Sequence, residues 1–206
     1  ELTYDLPPAI TASTGLDALT QVIEPYVSCR ANPMTDGLCM EGMQRAARSL
    51  RAAFDDGANR GAREDMCVAS LFGGLALANA GLGAVHGFAG VIGGMFHAAH
   101  GAICAALLPH VMEANIAALR KCDPGGEALR RYDGVGRILC GKAADEGVEW
   151  VRELVADLKI PRLRQYGLQT SDVAEVIEKA AKASSMKGNP IVLTSEELGR
   201  ILERAI

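Results

Sequence analysis

Asp17 and Gln21 stand four residues apart in a stretch patterned as a helix. Side chains at that spacing share a face, with Cβ atoms about 6 Å apart, so a carboxylate and a second donor can reach one ion. The alternative is that Asp17 completes a helix cap and Gln21 is solvated. His86 and His100 are fourteen residues apart. In one unbroken helix they would lie roughly 21 Å apart along the axis, out of reach of a common ion. Gly93-Gly94 falls between them, where a helix can stop and the chain reverse. On two helices joined by such a turn the imidazoles can converge, and neutral imidazole is the commonest metal ligand. Two core histidines satisfied by their neighbours are the competing explanation. His97 lies in the expected turn, three residues before His100, either facing the site or simply exposed. His110 follows Pro109 in an apolar stretch and reads as structural.

Other chemistries lack their residues. Gly81-Leu-Gly83 has neither the third glycine of a dinucleotide fingerprint nor a strand before it. There is no Walker loop, no G-x-S-x-G elbow and no Ser/His/Asp or Cys/His set. The net charge of −4, without a basic stripe or an aromatic platform, argues against nucleic acid as a partner.

The elements that must position these residues read as helices throughout. Abundant Ala, Gly and Leu with only 4% aromatics suit close helix packing better than strands. No segment alternates with a period of two. Pro7-Pro8 is expected to bar helix, and Ser13 or Thr14, in Thr14-x-x-Asp17, to cap a helix reaching Ser28. Further helices are expected at 34–56, 63–79, 83–92, 100–120, 127–143, 146–158, 171–182 and 195–206, the third of these ending at Gly93-Gly94. The fold class is therefore all-α, a helical bundle, with residues 1–206 as one domain.

From Met66 to Met112 the chain carries no Asp, Glu, Lys or Arg, yet this run holds all four histidines and nine glycines. Its low density of Leu, Ile, Val and Phe favours helices buried on several sides over a membrane span. The N-terminus lacks the pattern of a signal peptide. The six cysteines form no C-x-x-C pair, and most sit among apolar neighbours. They read as reduced, buried thiols in a cytoplasmic protein.

Three segments together resemble the iron-containing (group III) alcohol dehydrogenase family. They are Leu6-Pro-Pro-Ala-Ile-Thr-Ala-Ser-Thr-Gly-Leu-Asp17-Ala-Leu-Thr-Gln21-Val-Ile-Glu24-Pro-Tyr-Val-Ser28, Ala76-Leu-Ala-Asn79-Ala-Gly-Leu-Gly-Ala-Val-His86-Gly, and Ala99-His100-Gly-Ala-Ile-Cys-Ala-Ala-Leu-Leu-Pro-His110-Val. The later Gly188-Asn-Pro190 and Thr194 also fit. The resemblance implies the family's C-terminal helical domain, similar to dehydroquinate synthase, with a divalent metal (iron, zinc or nickel) held by Asp17, His86 and His100. It implies an oxidoreductase acting on a small alcohol or aldehyde, with hydride passing to or from NAD or NADP. The nucleotide would belong to an N-terminal dinucleotide-binding domain absent from this chain, so no cofactor-binding residue is expected here and the isolated domain is expected to be inactive. No membrane partner is implied, and a homodimer is compatible with the family.

Two departures stand out. The family's second ligand is usually His, and here it is Gln21, a weaker neutral donor that could bind, yield to water, or loosen the shell. A second histidine often found four residues after the first is here Gly90, leaving His97 as the candidate for its proton-relay role. Members resembling maleylacetate reductases work without metal, and Gln21 leaves that alternative open. A naturally truncated chain would instead be a catalytically silent helical module.

Overall fold

Pro8 opens the first helix rather than barring it. In the computed structural model, which describes residues 1–206, α1 runs Pro8–Val27. A proline at the first helical position loses nothing, because its missing N–H would have had no partner there. The expected cap at Ser13 or Thr14 is therefore not a cap. Both hydroxyls sit within α1 and donate back to the carbonyl of Ile10, at 3.2 and 2.7 Å.

Asn32 caps α2 (Pro33–Asp55) in a reciprocal box with Thr35, and Asn59 caps α3 (Arg60–Ala80). These three helices pack on one another. At Gly81, with φ of 71°, the chain leaves α3. It re-enters helix as α4 (Ala84–Phe96), whose axis departs from that of α3 by 102°.

α4 does not stop at Gly93-Gly94. It continues through both glycines and ends at His97, which takes the left-handed conformation at φ 50°. Each glycine costs a helix about 1 kcal/mol. Burial of Ile92, with partial burial of Met95 and Phe96 against the core, offsets that cost.

The reversal leads into α5 (His100–Cys122), the central helix, buried continuously from Ala102 to Pro109. α5 packs against α1, α4, α6 (Glu127–Cys140), α7 (Ala144–Asp157) and α9 (Ser195–Ala205). The remaining helix, α8 (Val173–Ala180), bridges α4 and α9. Its first turn, at Thr170–Asp172, is 3-10, as are Leu163–Tyr166 and Ser185–Gly188. The fold is all-α, with nine α-helices, no strand and one core cluster of 48 buried residues.

Two expectations need correction. Only Cys39 and Cys104 are buried; Cys29, Cys67 and Cys122 are exposed and Cys140 is intermediate. Apolar neighbours in sequence do not decide which face of a helix a residue takes. The uncharged run is also not buried on several sides throughout. α4 and α5 fit that description, but α3 buries only one face, mostly of small residues, and leaves Leu71 and Leu75 60% and 45% exposed. α5 alone is long and apolar enough to cross a membrane, and 78% of its apolar window is buried inside the protein.

Candidate metal centre

α1, α4 and α5 meet where Asp17, His86 and His100 lie. Asp17 and Gln21 occupy successive turns of α1. His86 sits in the first turn of α4, and His100 is the first residue of α5. Gly101 permits the approach of α5 to α1. A Cβ there would stand 2.3 Å from the carbonyl oxygen of Ser13 and 3.3 Å from Cβ of Asp17. Backbone cannot yield to that contact, so only glycine lets His100 come down onto Asp17.

One oxygen gathers the site. Oδ1 of Asp17 is 3.2 Å from Nε2 of His86 and 3.9 Å from Nε2 of His100. Sγ of Cys104, one turn along α5 from His100, lies 3.6 Å from Nε2 of His100 and 3.9 Å from Nε2 of His86. One donor atom from each of these four residues falls within 4.8 Å of all the others. The site opens toward solvent on one side: the His100 side chain is 49% exposed, that of His86 only 6%.

The surroundings are built for a cation. His86 Nδ1 donates to Oε2 of buried Glu24 at 2.7 Å, and Oε1 of Glu24 accepts the Val85 N–H at 2.7 Å. With Nδ1 held by Glu24, Nε2 of His86 faces the Asp17 carboxylate, so the pair calls for a positive charge between them, either a proton on Nε2 or a bound cation. Oδ1 of Asp17 is buried, and a proton on His86 Nε2, 3.2 Å away, is what would satisfy it when no cation is bound. Burial disfavours an imidazolium at His86, but Asp17, Cys104 and Glu24 outweigh it and push its pKa up to about 12. Burial also opposes ionisation of Asp17, yet His86 and His100 hold its carboxyl below the usual value. Burial pushes the Cys104 thiol up to about 12. A divalent ion bound by Asp17, His86 and His100 meets the same demand for positive charge, and this donor set fits one.

Glu24 also stabilises the start of α4. The free N–H groups of that helix end are capped from outside, Val85 by Glu24 and Ala84 by Oδ1 of Asn189 at 3.1 Å. Gly83 leaves room for both caps, since a Cβ there would lie 2.8 Å from Glu24 Oε1. Asn189, from the Gly188-Asn-Pro190 segment, is fixed in turn by paired amide hydrogen bonds with Asn115.

Gln21 does not turn its oxygen to the cluster. Its Nε2 donates to Oδ2 of Asp17 at 3.4 Å, and its Oε1 lies against Gly73 of α3. His97 is exposed and outside the cluster, and His110 lies further along α5 beside Glu113. Sequence reasoning missed Cys104 and Glu24. The signals were present: Cys104 follows His100 by four residues and Glu24 follows Asp17 by seven, each on the same helix face. The cavities of about 370, 510 and 410 Å³ include none of the four donors among their lining residues.

Comparison with known proteins gives the family and the fold. Residues 11–206 match the family described as "Fe-containing alcohol dehydrogenase family, C-terminal". The chain belongs to the iron-containing alcohol dehydrogenase family. Alcohol dehydrogenase 4 of Saccharomyces cerevisiae is 38% identical over 203 residues, which cover 98% of this chain and 52% of the yeast protein. The 1,3-propanediol dehydrogenase of Klebsiella pneumoniae is 38% identical over 202 residues, 97% of this chain and 51% of that protein. A crystal structure of 1,3-propanediol oxidoreductase superposes with a TM-score of 0.90 at 34% identity, covering 98% of this chain and 53% of the other. The alcohol dehydrogenase of Oenococcus oeni gives a TM-score of 0.89 at 35% identity, with the same coverage. The chain thus spans about half the length of these relatives.

Proposed function

We propose that this chain is the metal-binding helical half of an NAD(P)-linked alcohol dehydrogenase or aldehyde reductase, acting on a small alcohol or its aldehyde. The observation that carries this reading is the convergence of His86 and His100 on one buried carboxylate oxygen of Asp17. A bound divalent ion supplies Lewis acidity toward the alcohol or carbonyl oxygen, favouring hydride exchange with a nicotinamide. The chain's own residues prepare the place. Asp17 contributes negative charge, and Gln21 steadies it through Oδ2. Glu24 fixes the tautomer of His86 so that Nε2 faces the cluster. His100 lies at the exposed edge, where a substrate oxygen would enter. The nucleotide is assigned to the part of the family protein this chain does not span.

The test is metal content and turnover of the enzyme containing this chain. Wild-type protein should carry about one divalent ion per chain and lose alcohol oxidation on chelation. The double substitution His86→Ala, His100→Ala should abolish both. Unchanged metal content in the double variant refutes the reading. A metal-free reductase is the second reading, favoured by the amide of Gln21 standing where the family usually has an imidazole; activity that survives chelation selects it.

A further inference from the structure

We propose that Cys104 is a metal ligand in this protein, completing an Asp17, His86, His100, Cys104 donor set that favours zinc over iron. The inference rests on the metal-site reading above and extends it to a residue that reading does not use. A buried cysteine is ordinarily a small apolar core residue. Cys104 is fully buried, but its sulfur is directed at the two imidazole nitrogens rather than at hydrocarbon alone, 3.6 and 3.9 Å away.

The distances suit one ion. Zinc bonds of about 2.0–2.1 Å to nitrogen or oxygen and 2.3 Å to sulfur set tetrahedral neighbours about 3.3–3.6 Å apart. Four of the six separations lie between 3.2 and 3.9 Å and all six fall within 4.8 Å, so side-chain adjustment draws the four donors onto one ion. His100 and Cys104 come from successive turns of one helix, a spacing at which two donors reach one ion.

Gln21 gives the independent argument. The amide oxygen that would be its donor atom lies against Gly73, and its Nε2 is committed to Asp17. The oxygen of Gln21 is turned away from the cluster, while the Cys104 sulfur lies against both imidazoles. Binding displaces the thiol proton of Cys104 and any proton on His86 Nε2 to solvent and leaves two anionic and two neutral donors, which balance a divalent charge. A thiolate is a soft donor that selects zinc more than an oxygen-rich site does. Zinc accepts a fifth donor where a substrate must enter.

The experiment is X-ray absorption at the zinc edge of the zinc-loaded chain, with the near-ultraviolet spectrum of the cobalt(II)-loaded chain beside it. The expected result is one sulfur at about 2.3 Å with the remaining donors at about 2.0–2.1 Å, and a sulfur-to-cobalt charge-transfer band. Cys104→Ser should remove the sulfur shell and the band and weaken zinc at least tenfold. Cys67→Ser should leave both signals in place. The wild-type spectra decide the matter even if Cys104→Ser fails to fold. Zinc bound with only nitrogen and oxygen neighbours overturns the role of Cys104 and leaves the proposed function standing. Failure of the wild-type chain to bind zinc or cobalt overturns both.

Discussion

A single carboxylate, Glu24, holds His86 by its Nδ1 proton at 2.7 Å and holds the backbone of the preceding residue, Val85, at the same distance. Ring orientation and helix start are therefore coupled. Each of the two groups would otherwise be a buried donor without a partner, a cost of about 1–3 kcal/mol.

Glu24→Gln keeps the shape of this contact and removes its charge. Outer hydrogen bonds to ligating histidines are worth tenfold to a hundredfold in metal affinity, so zinc should bind about that much more weakly, with helix content unchanged. Titration against a competing chelating dye measures it. Affinity within twofold of wild type would show that the carboxylate does not tune His86.

Gly101→Ala should be the most damaging single-methyl change at the centre. The added Cβ would meet the Ser13 carbonyl at 2.3 Å, and overpacking against backbone costs about 1–3 kcal/mol or more. Gly90→Ala is the control. It lies within α4 with nothing inside 4 Å of the added atom and should stabilise by about 0.5–1 kcal/mol. Urea unfolding midpoints that move the same way for both variants would contradict the close-approach argument.

The helices were legible because their apolar spacing and their breakers agreed. Asn32-Pro33, Gly81 and Thr194 each mark a boundary where the chain has one. The errors came where local signals competed with burial. Pro8 looked like a barrier but occupies the one helical position that tolerates it, and Gly93-Gly94 looked like a stop but was overridden by the apolar face of α4. Asp17, His86 and His100 were legible as a set through family motifs, since spacing alone left core histidines equally open. Cys104 and Glu24 escaped because each has an apolar or helical role that explains it locally. Both also meet His86, which lies 18 residues from Cys104 and 62 from Glu24 in sequence.

Metal removal should be visible in stability as well as in activity. At zinc a hundredfold above its dissociation constant, selective binding to the folded chain adds about 2.7 kcal/mol. For a chain of this size that raises the melting temperature by about 5–10 °C, reversed by chelator. The His86→Ala, His100→Ala double variant should show no such shift in differential scanning fluorimetry. A shift of equal size in that variant would place the stabilising ion elsewhere.

His110 sets a separate pH dependence, remote from the donor cluster. Its Nδ1 is buried without a hydrogen-bond partner. Burial, together with the charges of Arg204 and Arg152, pulls its pKa down to about 4, with Glu113 opposing them and Arg162 adding to them. The unfolded chain takes up a proton near pH 6.5 that the folded chain refuses until about pH 4. Stability from this residue is therefore fully present above pH 6.5 and is lost as pH falls from there toward 4. Allowing for solvent screening at a partly exposed ring, the loss is about 1–2 kcal/mol. His110→Gln removes the titrating group, so the stability difference between wild type and variant should change across this interval and be flat above pH 7. Denaturant midpoints measured for both proteins from pH 4.5 to 8 give that difference directly, and parallel curves would show that His110 titrates as freely in the folded chain as in the unfolded one.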